Sequence, residues 1–313
     1  MSIFTSTLSQ MVFLIIMIAI GFIIAKIKAI PQNSASVLAK LENNVFIPCL
    51  VMGTFINNFT VERLGETWKL FAFSFIIMIV IVPLSIFIPK LVTKDGFTRN
   101  IYTYGLAFSN FGFMGNSVVK ALFPELFWQY LIFTLPLWIL IYLWGVPALL
   151  MPSNEERGGI AGRLKNLLNP MFIAMLVGMV IGICDIPLYS GVSNVITTLG
   201  DCMSPVAMLL TGITVASISF KKVFTNVSIY AVSIIRLIVI PVVFIAVLTS
   251  LPLSDDFIIC AVCSLSMPLG LNTIVIPSAY GKDPTVASGM ALISHLLSCI
   301  TIPIIFFVLM RLL

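Results

Sequence analysis

Ten stretches of the chain are apolar over about the length that crosses a bilayer, for which a helix needs roughly 20 residues. They fall at 8–25, 37–56, 69–88, 100–122, 127–150, 170–186, 192–218, 227–248, 257–280 and 286–310. In two of them, polar and helix-breaking residues gather where an oily helix should run on. The ninth holds Pro268, Gly270, Asn272, Thr273 and Pro277, and the fourth holds Asn110, Gly112, Gly115, Asn116 and Ser117. A proline removes a backbone donor and clashes with the preceding turn. At membrane depth, freed backbone groups are tolerated only against protein or a water-filled cavity. Two broken helices at corresponding places in two halves of a chain point to a transporter's binding site.

Composition supports this reading. Hydrophobic residues make up 60% of the chain and charged residues 9%, against about 25% charged in soluble domains. The expected class is an all-α polytopic membrane protein with ten transmembrane helices. The net charge of +5 is spread over short loops, so the basic residues read as topology signals and no nucleic-acid partner is expected. Loops after odd-numbered segments hold 11 of them: Lys26, Lys28, Lys90, Lys94, Arg99, Arg157, Arg163, Lys165, Lys221, Lys222 and Lys282. The other side holds 3, Arg63, Lys69 and Arg311. By the positive-inside rule, both termini lie outside the cell and the charged loop at 153–168 is cytoplasmic. Lys26 and Lys28 follow the first apolar run, the wrong order for a cleaved signal, so that run is expected to be a retained helix. The cysteines lie mostly inside apolar segments, which argues against a disulfide framework. Cys260-x-x-Cys263 has no second ligand pair and reads as helix packing, so no metal is expected.

Around the charged loop the segments divide five plus five, 1–152 and 169–313. An odd number per half turns the second half upside down relative to the first. Weak similarity supports a repeat: Asn44 to Pro48 matches Asp201 to Pro205, and Asn116-Ser117 matches Asn272-Thr273.

The chain resembles the auxin efflux carrier family, most closely its bacterial permease members, within the wider bile, arsenite and riboflavin transporter superfamily. Asn110-Phe-Gly112-Phe113-Met-Gly115, Met267-Pro268-Leu-Gly-Leu-Asn272 and Tyr280-Gly281-Lys-Asp283 match its motifs, and the proline-centred second and seventh segments and Asn169-Pro170 also fit. The resemblance implies two inverted five-helix repeats. Helices 1, 2, 6 and 7 would form a scaffold and homodimer surface, and helices 3–5 and 8–10 a transport domain. Broken helices 4 and 9 would cross near the midplane, and the transport domain would move like an elevator. Ser117 departs from the family, which often has proline there, so the fourth helix is expected to be bent by Gly112 and Gly115.

Asn110, Asn116 and Asn272 belong at the expected crossover, beside Gly112, Gly115 and Pro268. Amides donate and accept without the desolvation cost of a charge; the blander role is capping freed backbone. Half-helix starts favour an anion. Lys120, one turn beyond Asn116, and Arg236, inside the eighth segment, are intramembrane charges of a kind that is usually functional, and either suits a carboxylate. Against that, Lys120 can snorkel outward and Arg236 can hold carbonyls at a helix break. Ser117 and Thr273 offer hydroxyls to sodium. Glu42 and Asp201 precede Pro48 and Pro205 in the two halves and are candidate proton carriers, with Asp201 the stronger because its neighbours are small or apolar; the alternative is a structural hydrogen bond. His295 titrates near neutral pH or simply packs. Gly178-x-x-x-Gly182 allows close helix approach. Trp68, Trp128, Trp138 and Trp144 are placed at or near segment ends, where rings suit the interface.

The leading expectation is a plasma-membrane secondary transporter or facilitator for a small organic anion, a mono- or dicarboxylate such as malate. That cargo class rests on the resemblance and the two cations. No cofactor is expected beyond a coupling proton or sodium, since no phosphate-binding G-x-x-x-x-G-K-S/T loop is present. A channel or non-transporting receptor on the same fold is the alternative. An intramembrane enzyme would need a convergent catalytic set, which one histidine and two separated acids do not supply.

Overall fold

The computed structural model describes residues 3–151, 168–216, 226–270, 272–279, 282–283 and 285–313. Nearly all of the expected linker at 153–168 lies outside the described residues, as do Lys221, Lys222, Tyr280 and Gly281.

Among the described residues every regular element is helical. In chain order they are α1 (Ile3–Lys26), α2 (Ser34–Asn58), α3 (Leu64–Val92), α4 (Gly96–Ala107), α5 (Asn116–Leu122) and α6 (Pro124–Leu150). After the linker come α7 (Pro170–Ile183), α8 (Ser190–Ala216), α9 (Val227–Leu248), α10 (Asp255–Leu265), α11 (Asn272–Ala279) and α12 (Thr285–Leu312). Six described stretches are long and apolar enough to cross a membrane: α2, Trp68–Val92 within α3, α6, α8, α9 and α12. The chain is a multi-pass helical membrane protein.

Local chemistry sets several helix starts. The Asp95 carboxylate accepts the Thr98 N–H at the start of α4; that bond holds its carboxyl below the usual carboxylate range. Asn169 Oδ1 accepts the Met171 and Phe172 N–H groups, with Pro170 at the first helical position. Three of the prolines inside the spans sit in or just after widened π-helical turns, while Pro83, Pro89, Pro136 and Pro303 lie within regular α-helix. Glu42–Phe46 precedes Pro48, Ile235–Val239 precedes Pro241, and Ile141–Leu150 contains Pro147. A wide turn gives the ring room that a regular turn denies it.

α1 packs along α8, and α2 lies against α7 and α8. α3 packs on α4 and α6, α10 on α6, and α9 on α12. The α2–α7 contact depends on missing side chains. A Cβ at Gly178 would stand 2.8 Å from the Met52 carbonyl oxygen, and one at Gly182 2.8 Å from those of Phe55 and Phe59. Exposed apolar side chains such as Ile76, Ile79 and Leu91 of α3, Val180 of α7 and Val242 of α9 form the surface suited to lipid.

Two gaps interrupt this architecture at buried positions. α4 stops at Ala107 and helix resumes in a π turn, Phe111–Gly115, that leads into α5. α10 stops at Leu265 and α11 begins at Asn272. The first gap is a full interruption rather than a bend, although Ser117 stands where the family often has proline.

Candidate functional site

The two gaps touch. Ser109 and Leu269 form an isolated antiparallel bridge. The Asn110 N–H donates to the Pro268 carbonyl (2.7 Å), and Ser109 Oγ donates to the Ser264 carbonyl (2.6 Å). Each gap therefore satisfies part of the backbone that the other frees, as a buried chain requires.

Arg236 completes the joint. It is 1% exposed, and Nη1 donates to the Leu106 carbonyl (2.8 Å), Nε to Met267 (3.2 Å) and Nη2 to Ser264 (3.3 Å). One guanidinium thus ties the ends of α4 and α10. Of the two roles its sequence position offers, substrate contact or holding carbonyls at a helix break, the hydrogen bonds are those of the second. Its place in the π turn Ile235–Val239 lets the side chain leave α9 toward them. Thr273 is also engaged locally, donating to the Gly270 carbonyl (2.9 Å) and fully buried. Ser117 Oγ donates to the Phe113 carbonyl (2.8 Å).

The amides differ from these. Asn110 is 2% exposed and its Oδ1 has no hydrogen-bond partner. Its Nδ2 meets His295 Nε2 (3.1 Å), while His295 Nδ1 meets the Ala291 carbonyl (2.8 Å). A carbonyl only accepts, so Nδ1 carries the proton and Nε2 accepts from Asn110. His295 thereby fixes Asn110 with Oδ1 turned away from it. Asn116 is 3% exposed, and its Oδ1 is likewise unpartnered. Asn272 Nδ2 donates to Tyr104 Oη (3.1 Å).

The amides do not share one pocket. Asn110, Gly112, Asn272, Tyr104 and Trp138 line a cavity of about 20 Å³, room for a single water-sized occupant. Asn116, Ser117 and Lys120 face a different cavity of about 350 Å³, with Asp201, Ser204 and Pro205 on its far side. A third space of about 200 Å³ lies beyond, lined by Asn57, Asn58, Trp128, Thr197, Lys120 and Asp201. Of these three, only the cavity of about 350 Å³ reaches the size usual for a small-molecule site.

Lys120 Nζ donates to Asp201 Oδ1 at 2.6 Å, the side chains 46% and 58% exposed. Asp201 is therefore not an acid buried among apolar neighbours, as its sequence context implied, but the partner of a cation at a cavity wall. Glu42 is the sequestered acid: fully buried in its π turn, with neither carboxyl oxygen hydrogen-bonded.

The sequence missed the aromatic frame. Trp138 lies mid-helix in α6, not at an interface, and its ring fills the space a Cβ on Gly112 would take. It meets Phe111 edge-on with centroids 5.0 Å apart. Tyr130 Oη donates to the Phe111 carbonyl (3.1 Å) and occupies the place of a Cβ at Gly115. The two glycines are thus required by close approach of rings to the first gap. The central position of Trp138 in segment 127–150 was the available signal.

Broken helices meeting inside a multi-pass bundle, with cavities lined by the resumed helix α5, are the features of a membrane transport protein. The family model described as membrane transport protein matches residues 6–306, and the chain belongs to that family, the auxin efflux carrier or PIN-like one. A search of curated proteins gave no match.

Proposed function

We propose that the protein is a secondary transporter of a small organic anion, a mono- or dicarboxylate of malate size. The observation that carries this is the joint itself: two interrupted helices supporting each other, with Asn116 and Lys120 of the resumed helix α5 facing a cavity of about 350 Å³. An ammonium and an amide on one wall suit a carboxylate; the Ser117 hydroxyl beside them is donated to the Phe113 carbonyl. α1, α7 and the two interrupted pairs, counted with the six long stretches, make ten spans in two inverted halves. α1, α2, α7 and α8, which pack on one another, are the scaffold and the expected homodimer surface. The remaining helices carry the substrate past them in an elevator motion. The protein sits in the plasma membrane with both termini outside. A proton or sodium gradient drives it, and Glu42 is the better proton carrier because it is buried without a partner.

Counterflow tests the reading. Proteoliposomes loaded with unlabelled malate should accumulate labelled malate transiently and saturably. Flux of carboxylates that neither saturates nor exchanges would replace the carrier with a channel.

A further inference from the structure

The geometry points to Asp201 as an internal stand-in for the substrate's carboxylate. It occupies Lys120 when the cavity is empty, and a bound anion takes its place on the ammonium. This rests on the carboxylate reading above and adds to it an exchange site and the residue that regulates it.

The Lys120–Asp201 contact joins α5 to α8, side chains 81 positions apart. Both residues line the cavity of about 350 Å³ and the space of about 200 Å³ beside it, so the ion pair is the partition between them. A ligand in either space meets the Lys120 ammonium directly. Lys120 lies one helical turn after Asn116, on the same face. Asn116, whose buried Oδ1 has no protein partner, also lines this wall. Because both charges are largely solvated, the pair is weakly held and readily exchanged. Arg236 cannot play this part, since it is buried, lines neither space, and spends three of its N–H groups on carbonyls. A hydroxylated carboxylate has the right complement: its carboxylate replaces Asp201 on Lys120, and its hydroxyl donates to Asn116 Oδ1. The displaced Asp201 then loosens the tie between α5 and α8, so that occupancy of the cavity releases one helix from the other.

The test uses the purified full-length chain in nanodiscs and malate as the probe, read by malate-induced shift in melting temperature and by the half-saturating concentration. Asp201→Asn removes the competitor, and half-saturation should fall about five- to tenfold. Asp201→Ser, a second variant against misfolding, should do the same. Lys120→Gln should weaken malate at least about tenfold. Unchanged or weaker malate binding in both Asp201 variants, with wild type binding malate, overturns the exchange and leaves the carboxylate reading standing. Absence of any carboxylate shift in wild type overturns both.

Discussion

The two interruptions are built differently. The second, between α10 and α11, is made by Pro268 and then tied down. Met267 and Ser264 offer their carbonyls to Arg236, the Pro268 carbonyl takes the Asn110 N–H, and the Leu269 N–H is held by Ser294 Oγ at 3.2 Å. The first, between α4 and α5, has no proline. It is shaped by Gly112 and Gly115 under the rings of Trp138 and Tyr130, and it leaves two buried amide oxygens, on Asn110 and Asn116, unpartnered. A buried polar group without a partner is costly and rare, and such strain gathers at functional sites. One gap is thus braced, and the other leaves polar groups open where the proposed site lies.

The largest effect that would break this contrast is at Arg236. Arg236→Met takes the guanidinium from the buried Leu106 and Met267 carbonyls, each worth roughly 1–3 kcal/mol when left unsatisfied, and leaves the Ser264 carbonyl to Ser109 Oγ alone, so the protein should lose several kcal/mol and barely accumulate as a monodisperse species. Arg236→Lys should not restore it, because a point charge cannot span three acceptors. Size-exclusion profiles and melting curves decide, and a wild-type melting temperature in either variant removes the brace.

Gly112→Leu comes next. Its side chain meets the Trp138 ring, and overpacking costs about 1–3 kcal/mol. Malate uptake should fall about tenfold or more, and adding Trp138→Ala should recover part of it. No recovery would mean that the ring is not what the glycine makes room for.

Asn116→Ala and Asn272→Ala sharpen the comparison. Asn116→Ala removes an orphan oxygen, so melting temperature should hold or rise while malate half-saturation worsens about tenfold. Asn272→Ala should lose the Tyr104 bond, about 1 kcal/mol, with malate half-saturation little changed, because Asn272 lines only the water-sized cavity. Equal stability losses in both would erase the distinction. The smallest effect is expected for Ser294→Ala, about 1 kcal/mol from the Leu269 N–H, with uptake little changed.

Much of this was legible in the sequence, because membrane depth punishes irregular backbone. Pro268, Gly270 and the Asn110–Ser117 run stood out where an apolar helix should continue. What periodicity does not supply is direction and partner. Arg236 reads as a ligand for anions until its acceptors, 106, 264 and 267, are brought together by the joint. Glu42 and Asp201 precede their prolines alike, yet a π turn buries one, and Lys120, 81 residues distant, meets the other. Trp138 looked like an interface ring because its opposing glycine lies on another helix.

The contact between the gaps carries the functional reading, and a cross-link tests it most directly. Antiparallel bridge partners stand about 4.5–5.5 Å apart at Cα, within disulfide range. Ser109→Cys with Leu269→Cys, in a background with the native cysteines replaced and a protease site placed in the 153–168 loop, should oxidise to a bond that keeps the two halves joined after cleavage. Halves that separate under oxidising conditions, from a folded protein, would contradict the joint and the carrier built upon it.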